Sequence, residues 1–254
     1  MAHEPGAAKR PRPDPRQGVF ETTLVVAGAP VELDAHLDRL TASTRALFGQ
    51  DPPDRARELV LRESAGVELG RVRATVAPHG DELRASAIVA GVYPGDVFPR
   101  GESAAALSTI VVDRGLGGHK WADRAMLERA EALGPTGTVP LLVREDGTVL
   151  EASRANVFLA REGVLLTPPL AAGVLPGITR AAAIELARSE GVEVREQPIY
   201  RDDLVGADEV FLTGSVRGVE PVRAIDADPI PCPETAARPL AAELRRRWLD
   251  GACR

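Results

Sequence analysis

Lysine is almost missing from this chain: of its 31 basic residues only Lys9 and Lys120 are lysines, and arginine supplies the rest. Arginine stays protonated and does not form a Schiff base, whereas a desolvated lysine gives up its proton and attacks a carbonyl. A general bias towards arginine explains the scarcity but not the one amine kept in the body of the chain. Lys120 is therefore the first candidate for covalent chemistry, although taken alone it is also what a solvated surface charge looks like. Cysteine is nearly as rare. Cys232 and Cys253 lie near the C-terminus with no metal-ligand spacing, and the four histidines are dispersed, which argues against a disulfide framework or a zinc site. The net charge of -6 provides no basic excess for nucleic acid or an anionic membrane. No apolar run approaches the roughly 20 residues that span a bilayer, and residues 1–18 lack the apolar stretch of a signal peptide. The expectation is a cytoplasmic protein whose 44% hydrophobic content can bury a core.

Residues 1–18, rich in Pro, Arg and Gly, are expected to be a disordered tail. A small α+β domain follows over 19–108. Phe20–Val26 reads as a strand, Gly28–Pro30 as a turn and Val31–Leu33 as a short return strand. Asp34 is the expected N-cap of a helix through Leu37, Leu40 and Leu47, and a second helix covers Arg55–Ser64. Strands are expected at Arg71–Ala77 and Leu83–Val89. The Gly- and Pro-richer stretch from Tyr93 to Gly118, interrupted by an apolar strand at Thr109–Val112, places an interdomain connection at 109–119. A larger domain, 120–254, then has a helix at Trp121–Leu133 and a hairpin about Asp146-Gly147 between Val139–Val143 and Thr148–Glu151. Further strands fall at Val157–Ala160, Val164–Thr167, Val192–Pro198 and Glu209–Thr213. Helices cover Gly177–Gly191 and Glu234–Leu249. Hairpins this frequent exclude a doubly wound sheet and favour two α/β domains.

Lys120 starts the larger domain, where a cleft between domains would place a reactive side chain. Glu151 ends an apolar strand. PGITR (Pro176 to Arg180) opens a helix and TGSVRG (Thr213 to Gly218) follows a strand, and either suits an anion such as phosphate. Arg39 offers a charge-assisted contact from the first helix. Singly, each has an ordinary reading as an N-cap or a surface charge. Together, an amine for an aldehyde, an anion for a pyridine nitrogen and donors for a phosphate are the parts of a pyridoxal 5'-phosphate site.

The pieces FET at Phe20, HLDRL at His36, EASRANVF at Glu151, LPGITR at Leu175 and DEVFLTGSVRGVEPV at Asp208, with the segment around Lys120, resemble the class IV aminotransferase family. These are the fold-type IV pyridoxal-phosphate enzymes, among them branched-chain and D-amino-acid aminotransferases and 4-amino-4-deoxychorismate lyases. The resemblance runs from about Val19 to Ala224. It implies the two-domain α+β fold of that family, with Lys120 bonded to the cofactor, Glu151 paired with its pyridine nitrogen and Arg39 on its phosphate. Ile178 and Thr179, with Thr213, Gly214 and Ser215, would complete the phosphate cup. Leu24 and Ala125 stand where branched-chain enzymes usually carry arginine and tyrosine. KWADR and LTGSVRGVEPV look more like the lyases. The resemblance thus implies a lyase making 4-aminobenzoate, with an aminotransferase, or a binding protein without catalysis, as alternatives. Thr22 stands where lyases carry a threonine near the substrate, and Arg73, Arg124 and Arg217 are the candidates for its carboxylates. A homodimer and an aminodeoxychorismate synthase partner are implied by likeness alone.

Overall fold

The computed structural model describes residues 12–250. β1 (Val19–Val26) is a run of β-branched and aromatic residues, followed by β2 (Ala29–Pro30), α1 (Leu33–Phe48), α2 (Arg55–Ser64), β3 (Leu69–His79) and β4 (Glu82–Gly91). The strands form an antiparallel sheet in the order β2-β1-β3-β4. β3 alternates strictly: Val72, Ala74 and Val76 are buried, while Arg71, Arg73 and Thr75 point the other way. The buried set packs with Leu40 of α1 and Ala56 and Val60 of α2. The arginine-bearing face is thereby left to form a wall of the cleft.

The rest of the chain gives β5 (Ala105–Val111), α3 (Ala125–Leu133), β6 (Thr138–Val143), β7 (Val149–Ala152), β8 (Asn156–Arg161), β9 (Val164–Thr167), α4 (Ile178–Ser189), β10 (Val194–Glu196), α5 (Arg201–Val205), β11 (Glu209–Gly214), β12 (Gly218–Ile225), β13 (Asp228–Pro229) and α6 (Ala237–Arg245). Its nine strands run β10-β9-β8-β11-β12-β5-β6-β7, with β13 on β12. Pairs β9/β10, β5/β12 and β5/β6 are parallel and the others antiparallel. Central strands are apolar on both faces because both are covered. Phe158 and Phe211 stack at 5.1 Å beneath α4 and α6, while Leu159 and Leu212 join the opposite layer with Leu141, Val222 and α5's Leu204. The Ala152–Ala155 bridge folds the end strand β7 back onto β8. Buried Glu209 accepts the Ala236 and Ala237 N–H groups at 2.8 and 2.9 Å, which neutralises free amides at the start of α6.

Several expectations change. The helix expected from Trp121 starts only at Ala125, because residues 120–122 spend their backbone on the small sheet: Phe20 N–H donates to the Lys120 carbonyl at 2.8 Å and Ala122 N–H to the Gly18 carbonyl at 3.0 Å. The expected Val31–Leu33 strand is instead Ala29–Pro30. Asp34 lies inside the first turn of α1 and makes no cap, pairing with Arg57. The connection expected at 109–119 overlaps β5, whose residues pair with β6 through Val111↔Val143. β12 and α5 went unrecognised, since their sequences carry no clear period, and the C-terminal helix is shorter, ending as a π-turn at Arg246–Asp250. Part of the expected tail is ordered: Pro15–Gln17 forms a 3-10 turn, and Asp14 N–H donates to Asp123 at 2.8 Å. Residues 1–11, with Lys9, and Cys253 lie outside the described residues.

Two loops cross beside the Lys120 segment, where Gly117 N–H donates to the Gly173 carbonyl at 2.9 Å and a Cβ on Gly115 would lie 2.0 Å from that oxygen. Gly115→Ala is therefore expected to cost about 1–3 kcal/mol, the price of overpacking. Urea unfolding checks it, and an unchanged midpoint would contradict the crossing.

Candidate active site

Lys120 stands at the seam between the two sheets. Its backbone is strapped to β1, and its amine lies 5.1 Å from the centre of the Phe20 ring. Lys120 lines both lobes of one cleft, a narrow lobe of about 60 Å³ and a wide one of about 610 Å³, which also share Arg124, Arg154, Ala155, Gly214 and Ser215. Desolvation, followed by the nearby charge of Arg39, pushes its pKa down to about 8; Arg124 acts the same way, while Glu21 and Glu151 oppose it. A near-neutral solution thus holds a useful fraction of free amine.

Glu151, at the end of β7, is buried in the narrow lobe. Its Oε2 accepts the Leu175 N–H at 3.1 Å and the Asn156 side-chain amide at 3.4 Å. These bonds, with Lys120 and Arg39, lower its pKa less than burial raises it, and the carboxyl is pushed up to about 7. A cationic partner at its unbonded oxygen would restore full ionisation. Asn156 also donates to the Leu175 carbonyl at 2.9 Å, and a Cβ on Gly177 would fall 2.0 Å from its Oδ1. Only glycine lets the start of α4 approach that closely.

Arg39 reaches in from α1. Its Nε and Nη2 donate to the two oxygens of Glu21 at 2.7 and 2.6 Å, and its Nη1 donates to the Pro176 carbonyl at 2.9 Å. His36 Nδ1 meets the same carboxylate at 2.8 Å. Glu21 is buried, yet the bonds from Arg39 and His36 outweigh desolvation and hold its pKa down at about 2. Sequence reasoning quoted both residues within motifs and assigned neither a role. The signal is the one charged residue in the strand VFETTLVV, since an acid buried there demands a cation. Arg39 keeps two N–H groups beyond these bonds.

Five buried polar side-chain atoms have no hydrogen-bond partner among the described residues, and three are hydroxyls at this cleft: Thr22, Thr179 and Thr213. Buried hydroxyls left unpaired are costly, so they mark where a polar ligand belongs. Ile178 and Thr179 at the start of α4, and Thr213, Gly214 and Ser215 at the β11–β12 turn, face one another across the narrow lobe. Thr22, Arg73, Arg124 and Arg217 line the wide lobe. All twelve residues proposed from sequence therefore meet at one cleft. Arg217 is the most committed of the cations, donating to Glu220 at 3.0 Å and pairing with Asp96. The donors and the two buried carboxyls fit pyridoxal 5'-phosphate, with Lys120 for its aldehyde, Glu151 for its pyridine nitrogen and the facing loops for its phosphate.

The chain belongs to the class IV aminotransferase family, whose model matches residues 18–225 and whose cofactor is pyridoxal 5'-phosphate. The branched-chain-amino-acid aminotransferase of Escherichia coli K12 is 37% identical over 149 residues, 59% of this chain and 47% of that protein. The chain thus spans about half the length of that curated relative. The crystal structure of 4-amino-4-deoxychorismate lyase from Pseudomonas aeruginosa superposes with a TM-score of 0.74 at 28% identity, covering 95% of this chain and 96% of the other. A hypothetical aminotransferase from Mycobacterium tuberculosis in its PLP-bound form shares the fold, with a TM-score of 0.80 at 24% identity over 96% of this chain and 94% of that one. No helix among the described residues is long and apolar enough to cross a membrane.

Below its pKa the Lys120 amine is mostly protonated, so the rate at which cofactor-free protein takes up pyridoxal phosphate should climb with pH, roughly tenfold per unit at first, and bend near pH 8. Stopped-flow absorbance measures this, and a flat profile from pH 6 to 9 would contradict the assignment. Glu21→Gln should destabilise the protein by about 3–5 kcal/mol by leaving a buried guanidinium without its anion. Because the folded pKa of Glu21 lies below its ordinary 4.5, the stability it contributes is present above that pH and is lost as pH falls towards 2. The variant should lack that part of the acid-unfolding profile.

Proposed function

We propose that the chain is a 4-amino-4-deoxychorismate lyase, which releases pyruvate and forms 4-aminobenzoate. The observation that carries this reading is the charge of the wide lobe. Among the described residues Arg73 and Arg124, which line the lobe with Lys120, have no hydrogen-bonded carboxylate; the nearest ion pair, Arg124 to Glu131, is 3.5 Å long. Arg73 is half-buried, and desolvation together with repulsion from Arg124 and Arg71 pushes its pKa down. Cations held together in this way favour a substrate with more than one carboxylate over a branched aliphatic side chain. The likeness to the Pseudomonas aeruginosa lyase supports the same reading.

When bound, pyridoxal phosphate supplies an aldehyde for the substrate amine and a ring that accepts electrons. Glu151 would hold the pyridine nitrogen. The Ile178–Thr179 amides, the Thr213–Ser215 turn and the two remaining N–H groups of Arg39 would hold the phosphate. The free Lys120 amine would take the proton from the amine-bearing ring carbon of the substrate. The neighbouring enolpyruvyl C–O bond then breaks as the ring becomes aromatic. Lys120 returns its proton to the departing group, so no second substrate is consumed. Thr22 is placed to bond the substrate from the wide lobe.

The second reading, an aminotransferase, rests on the 37% identity to the Escherichia coli enzyme, and Lys120 would there carry a proton between the amino-acid carbon and the cofactor. A homodimer belongs to the proposal, supported by the edge strand β4 and the exposed Ile88 and Tyr93 beside it. A synthase partner belongs to it by sequence likeness only, and a cytoplasmic location as expected from the composition. Holoenzyme mixed with 4-amino-4-deoxychorismate should develop 4-aminobenzoate fluorescence without any oxo acid, and Lys120→Ala should abolish it. Turnover of branched-chain or D-amino acids that requires an oxo acid, with no aromatic product, would overturn the lyase reading.

A further inference from the structure

The arginine-bearing face of β3 presents a cation that neither the sequence motifs nor the cofactor accounts for. Arg71 lies two residues from Arg73 on the same face of the strand, opposite Leu24 where Arg73 is opposite Thr22. It lines the wide lobe and is exposed to it, with no hydrogen bond or ion pair among the described residues. Of the cleft's other arginines, Arg154 donates to Glu220 at 2.8 and 3.0 Å, and Arg217 is shared between Glu220 and Asp96. Glu220 and Asp96 neutralise that side of the lobe, whereas Arg71 and Arg73 make no ion pair among the described residues, and Glu128 acts on Arg73 only at longer range. The Arg73 guanidinium rests over the Phe20 ring at 4.4 Å, and the Lys120 amine lies 5.1 Å from the same ring centre. Arg73 and the Lys120 amine thus flank one ring in one lobe, so a small molecule at Lys120 can extend a carboxylate to Arg73. Arg71 follows two residues along the strand, roughly 7 Å of extended backbone from Arg73 and on the side away from Phe20.

We infer that Arg71 and Arg73 together form a receptor for a dicarboxylate, with Arg71 the specificity-determining residue that separates dianionic from monoanionic ligands. The inference rests on reading the wide lobe as the substrate site, but it holds whether the reaction there is elimination or amino transfer. Two guanidiniums with no carboxylate of their own repel each other across the strand face, and a dianion relieves that repulsion where a monoanion relieves only part of it. Because Arg71 is exposed and carries no structural bond, its replacement should leave the fold intact.

The test is equilibrium binding of two unreactive probes to the holoenzyme, followed by calorimetry: benzene-1,3-dicarboxylate and benzoate. Wild type should bind the dicarboxylate about tenfold or more tightly than benzoate, the worth of one hydrogen bond between charged groups. Arg71→Met should bring the dicarboxylate down to the affinity of benzoate, with benzoate binding and cofactor content unchanged. Arg71→Lys should recover part of the difference, and added salt should reduce it. Equal affinity of wild type for the two probes, or an Arg71→Met protein that still prefers the dicarboxylate, would overturn the inference. Because the readout is binding, a failure of the lyase assay does not imitate either result.

Discussion

Two backbone hydrogen bonds, from Phe20 N–H to the Lys120 carbonyl and from Ala122 N–H to the Gly18 carbonyl, tie the loop that carries the reactive amine to the first strand of the small sheet. Glu151 and Thr213 stand on strands of the large sheet, and Ile178 and Thr179 open α4, which packs on it. The cleft exists because the lysine is fastened to one sheet while the groups that face it are built on the other. The same two bonds deny residues 120–122 a helical backbone, so α3 begins just beyond the lysine and Arg124, at its N-cap, is left lining the cleft. Phe20 then does two things at once: its amide fixes the loop, and its ring supports both Lys120 and Arg73.

The site divides two buried carboxyls by their partners. Glu21 and Glu151 begin from the same ordinary pKa, and burial pushes both upward. Glu21 is bonded by a guanidinium and an imidazole and falls to about 2, whereas Glu151 receives only neutral amides and rises to about 7. The first is a permanent anion that orients Arg39 and, through the Pro176 carbonyl, the loop that opens α4. The second is poised for the charge of whatever binds beside it. The hydroxyls of Thr22, Thr179 and Thr213 belong to the same pattern, each buried at the cleft with no partner among the described residues.

Much of this was legible one residue at a time. The single internal lysine, the glycine-opened helix at Gly177 and the alternation of β3 each have a local physical cause, and α2 and β9 fall where their patterns place them. What was not legible depended on partners far away in the chain. Trp121 has a helical neighbourhood but pairs with Val19. The apolar run at 109–112 reads as a strand, but its start at Ala105 and its central place between β12 and β6 are set by pairing alone. Gly218–Ile225, with Pro221 and two charges, has no strand period, yet it is held in the large sheet by β11 on one side and β5 on the other. Long-range ladders override local preference when they satisfy backbone groups that would otherwise be buried unpaired.

The sequence by itself determined the chemical inventory: one attackable amine, acids in apolar strands, glycines where two backbones come close, and arginines in place of other cations. Only the tertiary structure decided what each of these became. It chose Glu21 rather than Glu151 as the partner of Arg39, and it left Arg71 and Arg73 without an ion pair among the described residues while committing Arg154 and Arg217 to Glu220. The reason is that a charged group's role is set by the few ångströms around it, and those neighbours come from segments whose separation along the chain no local pattern encodes.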